Sequence, residues 1–309
     1  MKVFIDGREG TTGLQIQQRL ERRDDVSLIV LPEDLRKDPE ARRAALNEAD
    51  IVFLCLPDEA ARESVSMIAN DHTRVIDAST AHRIDPDWVY GFPELRRGQR
   101  DAIAAASRVT NPGCHATGFL AIAAPLTDVR VIPEDMTLHC FSLSGYSGAG
   151  KRAIAQYEAV EKSDDLYSPR LYGMNQRHKH IPEMMAHSGV RARPVFSPVI
   201  DDYFCGMATT VTFSNRALKG HPYAEDLRDI LATHYLGSRF VRVAPFDASV
   251  SFLPANTYAG TNDLEISVFG DQDLTQITAR FDNLGKGASG AAVQNMNIML
   301  GLPEDWELR

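Results

Sequence analysis

Apolar positions in the first hundred residues follow two alternating periods. Residues 2–6 (Lys-Val-Phe-Ile-Asp) are a short apolar run that predicts a strand. Residues 12–23 carry Leu14, Ile16 and Leu20 among polar neighbours, the spacing of an amphipathic helix. A second strand is predicted over 26–31 and an Ala- and Arg-rich helix over 38–49. Residues 51–56 are almost continuously apolar, as a strand covered on both faces must be. Pro57 ends that run, 58–70 reads as a helix, and 74–77 as a fourth strand. Strands that alternate with helices predict βαβ units and a parallel sheet.

The pattern changes near Asn111. After a helix that opens close to Cys114, the β-like segments 137–143, 195–199, 207–213, 239–243 and 263–269 are separated by long irregular stretches. This predicts a second, α+β domain. A last helix, about 288–300, starts after Gly285-Lys286-Gly287 and stops at Gly301 with Pro303 just beyond. The fold class is therefore α/β, with a Rossmann-type first domain and an α+β second one.

Composition narrows the function. The chain has 309 residues, 44% hydrophobic, with a formal net charge of -9. Nucleic acid and anionic membrane surfaces need concentrated Lys and Arg, so neither is an expected partner. No stretch is long and apolar enough to span a bilayer, and the N-terminus lacks a signal peptide's apolar region, so a cytoplasmic location is expected. No Cys or His cluster has zinc spacing, and no metal is expected. Cys55, Cys140 and Cys205 read as buried strand residues.

Gly7-Arg8-Glu9-Gly10-Thr11-Thr12-Gly13 joins the first strand to the first helix. Glycines there bring backbone N–H groups up to a phosphate at a helix N-terminus, which predicts dinucleotide binding. The spacing is G-x-x-G-x-x-G rather than G-x-G-x-x-G. Glu33, after the second strand, stands where an acid can hold the ribose hydroxyls of NAD; Arg36 and Lys37 can equally meet the extra phosphate of NADP. Local sequence leaves both open.

Asn111-Pro112-Gly113 is a turn at the end of an apolar strand, and Cys114 opens the helix that follows. Backbone donors and the helix dipole favour thiolate there, which makes Cys114 a candidate nucleophile. A thiolate beside a nicotinamide suits acyl chemistry: attack on an activated acyl carbon gives a thioester, which hydride then reduces to an aldehyde. That needs an acid/base, usually His. Arg177-His178-Lys179-His180-Ile181-Pro182-Glu183 packs two cations and a carboxylate around two imidazoles, so it is the candidate pocket for an anionic substrate. Ser79-Thr80-Ala81-His82-Arg83 follows the fourth strand, where Arg83 can fork onto a phosphate. Ser144-Gly145-Tyr146-Ser147-Gly148-Ala149-Gly150-Lys151 is a second glycine-rich loop without Walker spacing, so an ATPase is rejected.

These segments, together with Gly91-Phe92-Pro93-Glu94-Leu95 and the stretch 283–301, occur in an order that resembles N-acetyl-γ-glutamyl-phosphate reductases, closest to their short form. The wider aspartate-semialdehyde dehydrogenase superfamily shares the glycine loop, the cysteine and the last helix. The resemblance implies NADPH-dependent reduction of N-acetyl-γ-glutamyl phosphate in arginine biosynthesis, with Cys114 carrying the thioester. It implies that His178 or His180 is the acid/base, with His180 preferred. Arg83, Lys151 and Glu183 would serve the substrate, and Gly7, Gly10, Thr11, Thr12, Gly13 and Ser79 the dinucleotide. Asn295 would approach the nicotinamide, so the last helix returns to the first domain. The implied domains are 1–113 completed by 286–309, for the dinucleotide, and 114–285, for catalysis and assembly into a homodimer or homotetramer. Two rivals stand beside this reading: a reductase of aminoadipyl or aspartyl phosphate, and a dinucleotide-binding protein without catalysis.

Overall fold

A computed structural model describes residues 1–308. The chain divides into two compact units. The first comprises Met1–Pro93, Gly98–Pro112 and the residues from Ala288 onward. Its elements are β1 (Lys2–Asp6), α1 (Thr11–Leu20), β2 (Ser27–Ile29), α2 (Pro39–Glu48), β3 (Ile51–Leu54), α3 (Asp58–Met67), β4 (Arg74–Asp77), β5 (Val89–Tyr90), α4 (Gln99–Ala105) and β6 (Arg108–Thr110). All six strands are parallel, in the order β2-β1-β3-β4-β6-β5. β3 is buried at every position, which is why its sequence is continuously apolar rather than alternating. α2 starts where it does because the Asp38 carboxylate accepts the Ala41 N–H and Pro39 supplies a preset φ at the first turn.

The second unit holds Glu94–Arg97 and Gly113–Gly287. Its elements are α5 (Cys114–Asp128), β7 (His139–Gly145), α6 (Lys151–Tyr157), β8 (Arg170–Leu171), α7 (His180–Ser188), β9 (Val195–Asp201), β10 (Met207–Ser214), α8 (Ala224–His234), β11 (Val241–Val243), β12 (Leu264–Gly270) and β13 (Leu274–Phe281). The strands form one mixed sheet, β11-β12-β13-β10-β7-β9-β8. α5 is buried from His115 to Thr127, so it reads as a plain apolar run with no polar stripe. The final helix α9 (Gly290–Met299) belongs to the first unit, where all ten of its residues are buried against α1, α4 and β4.

Several elements differ from the sequence reading. β13, α6 and α8 were not anticipated. β13 is built from Leu-Thr-Gln-Ile-Thr-Ala-Arg-Phe, whose polar residues hide the alternation; the Asp271 carboxylate, accepting the Asp273 and Leu274 N–H groups, sets the hairpin that aligns it. Glu94–Arg97 packs with the second unit although its flanks belong to the first. Cys205 lies in the bend ahead of β10, half-buried, not in a strand.

Candidate active site

In the first unit, β1 ends at Asp6 and the chain turns at Gly7, whose φ is +86°. A Cβ at Gly7 would stand 2.4 Å from the Cys55 carbonyl oxygen, so only glycine closes this turn. Gly10 precedes α1 with no side-chain cap, and no acidic residue occupies the first turn. The N–H groups of Thr11, Thr12 and Gly13 are therefore available to an anion.

Beside this loop is a cavity of about 460 Å³ at the C-terminal edge of the sheet, where strand order reverses between β1 and β3. Its walls include Gly7, Arg8, Leu31, Arg36, Lys37 and Arg42. Glu33 is absent from that lining. It sits on the surface, where its carboxylate accepts Arg36 Nη2 at 2.9 Å; Arg36 Nη1 is 2.9 Å from Glu9 Oε1. The acid that had suggested NAD thus pairs with an arginine, and the cavity wall is cationic.

At the ends of β4 and β6, buried Asp77 organises its neighbours. It accepts the Ser79 N–H and hydroxyl, both at 2.8 Å, and bonds His82 Nδ1 at 2.6 Å. His82 stacks on Trp88 at 4.2 Å. Arg83 is buried, with Nε on the Asn111 carbonyl and Nη2 on the Ala78 carbonyl, both at 3.1 Å. Its guanidinium therefore braces the turn leading to Cys114, and two of its nitrogens are spent before any phosphate arrives. Asn295, fully buried on α9, donates to the Gly91 carbonyl and to Asn111 Oδ1, while Asn111 donates to the Ala288 carbonyl. Asn295 Oδ1 and Thr11 Oγ1 are buried without a partner.

A dinucleotide fits these residues: the cavity offers an apolar strand end and four cations, the loop offers helix N–H groups, and the orphaned Thr11 hydroxyl and Asn295 Oδ1 are each in want of a hydrogen-bond partner.

In the second unit, Cys114 is the first residue of α5 and half-buried. A Cβ at Gly287 would lie 2.9 Å from the Cys114 Cβ, so the Gly285–Ser289 π-helical turn approaches the cysteine only because residue 287 is glycine. Glu183, 1% exposed in the first turn of α7, accepts the Gly113 N–H through Oε1 at 2.8 Å. The carboxylate grips the turn under the cysteine through this oxygen. The segment 178–183 is thus the start of a helix rather than a loop, because His180 and Glu183, three apart, share its buried face.

The imidazoles gather around a residue the sequence reading left unassigned. His115 is buried, with its ring 5.6 Å from that of His178 and 5.5 Å from that of His180. His178 and His180 are 4.8 Å apart, and the His180 N–H donates to His178 Nδ1 at 3.2 Å. His115 Nδ1 meets Ser142 Oγ at 2.8 Å, its Nε2 meets the Tyr172 hydroxyl at 2.7 Å, and Ser142 Oγ meets Thr209 Oγ1 at 2.8 Å. Burial, then His178 and Lys179, push the His115 pKa down to about 3, so the ring is neutral. Burial, then the Cys114 charge, push the Tyr172 phenol up. Only the adjacency Cys114-His115 could have signalled this pair.

Lys151 starts α6 on the surface, after Gly150. Ser147, in the second glycine-rich loop, is fully buried and accepts Asn283 Nδ2 at 2.9 Å, so that loop is pinned inward. Burial, helped by acidic neighbours, holds the Cys55 thiol up at about 12 and Cys205 at about 11; burial alone raises Cys140. Lys286 and Glu94, both almost inaccessible, pair at 2.8 Å within the second unit. Among the described residues no group of His, Cys, Asp and Glu converges as a metal site, and no helix is long and apolar enough to cross a membrane.

Comparison with known proteins covers nearly the whole chain. Residues 31–105 match the model of the semialdehyde dehydrogenase NAD binding domain, and 114–283 that of the semialdehyde dehydrogenase dimerisation domain. Two curated relatives bear the name N-acetyl-gamma-glutamyl-phosphate reductase 2. The one from a Nostoc species is 45% identical over 98% of each chain. The one from Pseudomonas putida is 47% identical over 97% of this chain and 96% of its own. Aspartate semialdehyde dehydrogenase II from Vibrio cholerae shares the fold, with a TM-score of 0.72 at 16% identity over 97% of this chain and 98% of that one.

Proposed function

From the premise that this chain belongs to the N-acetyl-γ-glutamyl-phosphate reductases, we propose that it reduces N-acetyl-γ-glutamyl phosphate to N-acetylglutamate semialdehyde and phosphate, using NADPH, in arginine biosynthesis. The observation that carries the reading is Cys114 on the first turn of a buried helix, its turn held by Glu183 and its neighbour surrounded by His178 and His180.

Cys114 Sγ, deprotonated at the helix N-terminus, attacks the acyl carbon; the S–C bond forms and the C–O bond to phosphate breaks. His180 or His178 takes the thiol proton and returns it to the departing phosphate. The chemistry the bound nicotinamide supplies is a hydride for the thioester carbon. The resulting oxyanion expels Cys114 as thiolate and leaves the aldehyde. Glu183 and Arg83 act as positioning residues, one under Gly113 and the other on the Asn111 carbonyl.

Gly7, Gly10, Thr11, Thr12 and Gly13 would hold the pyrophosphate, and Arg8, Arg36 and Lys37 would hold the 2′-phosphate that distinguishes NADP from NAD. Ser79 shapes this edge through Asp77, and Asn295, whose Oδ1 is buried without a partner, would help hold the nicotinamide end. Lys151 attracts the anionic substrate. The functional domains are 1–113 with 286–309, and 114–285. The protein works in the cytoplasm as a homodimer or homotetramer. The assembly reading is supported by the sheet face opposite α5, where Phe141 (47% exposed), Val195 and Leu171 are open on adjacent strands.

The test is phosphate-dependent, NADP-linked oxidation of N-acetylglutamate semialdehyde, with kcat/KM compared in the reductive direction across the acetylglutamyl, aspartyl and aminoadipyl phosphates. A higher kcat/KM for either of the last two would displace the assigned substrate.

A further inference from the structure

Glu9 is an acid inside a loop that otherwise suits a phosphate. It stands between Gly7 and Gly10, in a turn closed by the Gly10 N–H on the Gly7 carbonyl at 3.1 Å, two residues ahead of the uncapped start of α1. A carboxylate there opposes any anion that the helix N-terminus attracts, unless cations neutralise it. Two do. Glu9 Oε1 is 2.9 Å from Arg36 Nη1 and 3.5 Å from Arg8 Nε, and all three side chains line the cavity of the first unit.

The four cations of that lining differ in what already holds them. Arg42 is buried, with Nη2 on Asp6 Oδ2 at 3.0 Å and on Ser64 Oγ at 2.7 Å, so it belongs to a fixed internal pair. Arg36 is engaged at every nitrogen: Nη1 by Glu9, Nη2 by the Glu33 carboxylate at 2.9 Å, and Nε by the Glu33 carbonyl at 3.3 Å. Any two-nitrogen fork from Arg36 onto a phosphate therefore starts at a nitrogen that is already bonded. Of its two acids, Glu9 lines the cavity and Glu33 does not. A nucleotide entering the cavity thus meets Glu9 first, while Arg36 can keep Glu33 on Nη2. A phosphate monoester carries nearly two negative charges and needs the donors that Glu9 holds. A ribose hydroxyl is neutral and does not contest them.

We propose that Glu9 is a specificity-determining residue, whose carboxylate competes with the 2′-phosphate of NADP for Arg36 and Arg8 and leaves NAD unopposed. The inference rests on the reading of this cavity as the adenosine end of the dinucleotide site. In the empty site Glu9 gathers the two guanidinium groups; when NADP binds, it gives them up. The preference for NADP is then smaller than the cations alone would give, and one exposed side chain sets how much smaller.

The experiment titrates the full-length protein calorimetrically with adenosine 2′,5′-bisphosphate and with 5′-AMP, which differ only in the 2′-phosphate. It needs neither substrate nor turnover. Glu9→Gln, an isosteric change on the surface, is expected to tighten the bisphosphate about threefold, the scale of one exposed ion pair, and to leave 5′-AMP unchanged. In an Arg36→Ala background the same change is expected to gain less than half as much, because its main competitor contact is gone. Equal tightening of both nucleotides would mean that Glu9 acts only through its general charge, and overturns the proposal. So does an unchanged or weaker bisphosphate affinity in Glu9→Gln, or a gain undiminished in the Arg36→Ala background. If the unaltered protein binds neither nucleotide, the cavity reading itself fails and the proposal with it; if it binds both and only the variants disagree, the cavity reading stands and the role of Glu9 falls.

Discussion

Glu183 Oε1 accepts the backbone N–H of Gly113 at 2.8 Å, which fastens the first turn of α7 to the residue immediately before Cys114. Replacing the carboxylate frees a buried amide and loosens the turn that sets the direction of Sγ. Glu183→Ala is expected to lower kcat at least about tenfold while Glu183→Gln, which keeps an acceptor oxygen, loses less. Steady-state kinetics with circular dichroism as a folding control separate the two; equal losses would remove the hydrogen bond from the account.

Cys114→Ser is expected to reduce turnover by about 10⁴-fold or more, since a serine hydroxyl at this position lacks the acidity of a thiol. NADPH affinity, measured by fluorescence titration, is expected to stay within about twofold, because the cofactor residues belong to the other unit.

The cavity wall predicts cofactor choice. Arg36→Ala with Lys37→Ala is expected to weaken NADPH binding by about 10- to 100-fold and to leave NADH binding nearly unchanged, as befits loss of one or two charge-assisted bonds to a 2′-phosphate. Glu33→Gln frees Arg36 from one carboxylate and is expected to tighten NADPH slightly. Isothermal titration with both nucleotides measures the ratio; a parallel loss for both would place the 2′-phosphate elsewhere.

His115 gives the protein an acid-side instability. Its folded pKa is near 3 and its unfolded value near 6.5, so the unfolded state binds the extra proton between those limits. The stabilisation is complete above pH 6.5 and declines as pH falls toward 3, with a slope approaching about 1.4 kcal/mol per unit. Urea midpoints between pH 7 and 4.5 check this: the acid-side slope is expected to shrink in His115→Gln.

Lys286 and Glu94 form a deeply enclosed ion pair, 1% and 0% exposed at the side chain. Glu94→Ala strands a buried ammonium, a defect that costs on the order of 3–5 kcal/mol. A fall in the thermal midpoint of several degrees is expected, and a neutral result would mean that water reaches Lys286.

The parts of this architecture that could be read from sequence are those with one dominant local cause. β1 and β4 were placed to the residue, since a short apolar run between polar turns has no competing reading. The start of α5 at Cys114 was legible from the turn before it. β13 was not, because Thr and Gln fill its strand positions and only pairing with β10 and β12 fixes it. His115 escaped because burial made it look like part of an apolar helix. Glu183 and Arg83 were noticed as charges near a presumed anion. Both also bond backbone groups, of residues 113, 111 and 78, distant in sequence from Glu183 and, for Asn111, from Arg83. Glu33 misled for a local reason: three residues on, Arg36 neutralises it.

The closing helix α9 carries a consequence for how the molecule is made. Its ten buried residues complete the first unit, yet the whole main segment of the second unit separates them in sequence from β6. A chain made from its N-terminus onward therefore leaves the surfaces of α1, α4 and β4 that α9 covers open while the second unit is produced. The second unit, contiguous apart from Glu94–Arg97, can fold while still tethered; the first must wait. Maturation is thus ordered back to front, and the interval before α9 docks is when the chain has most need of a chaperone.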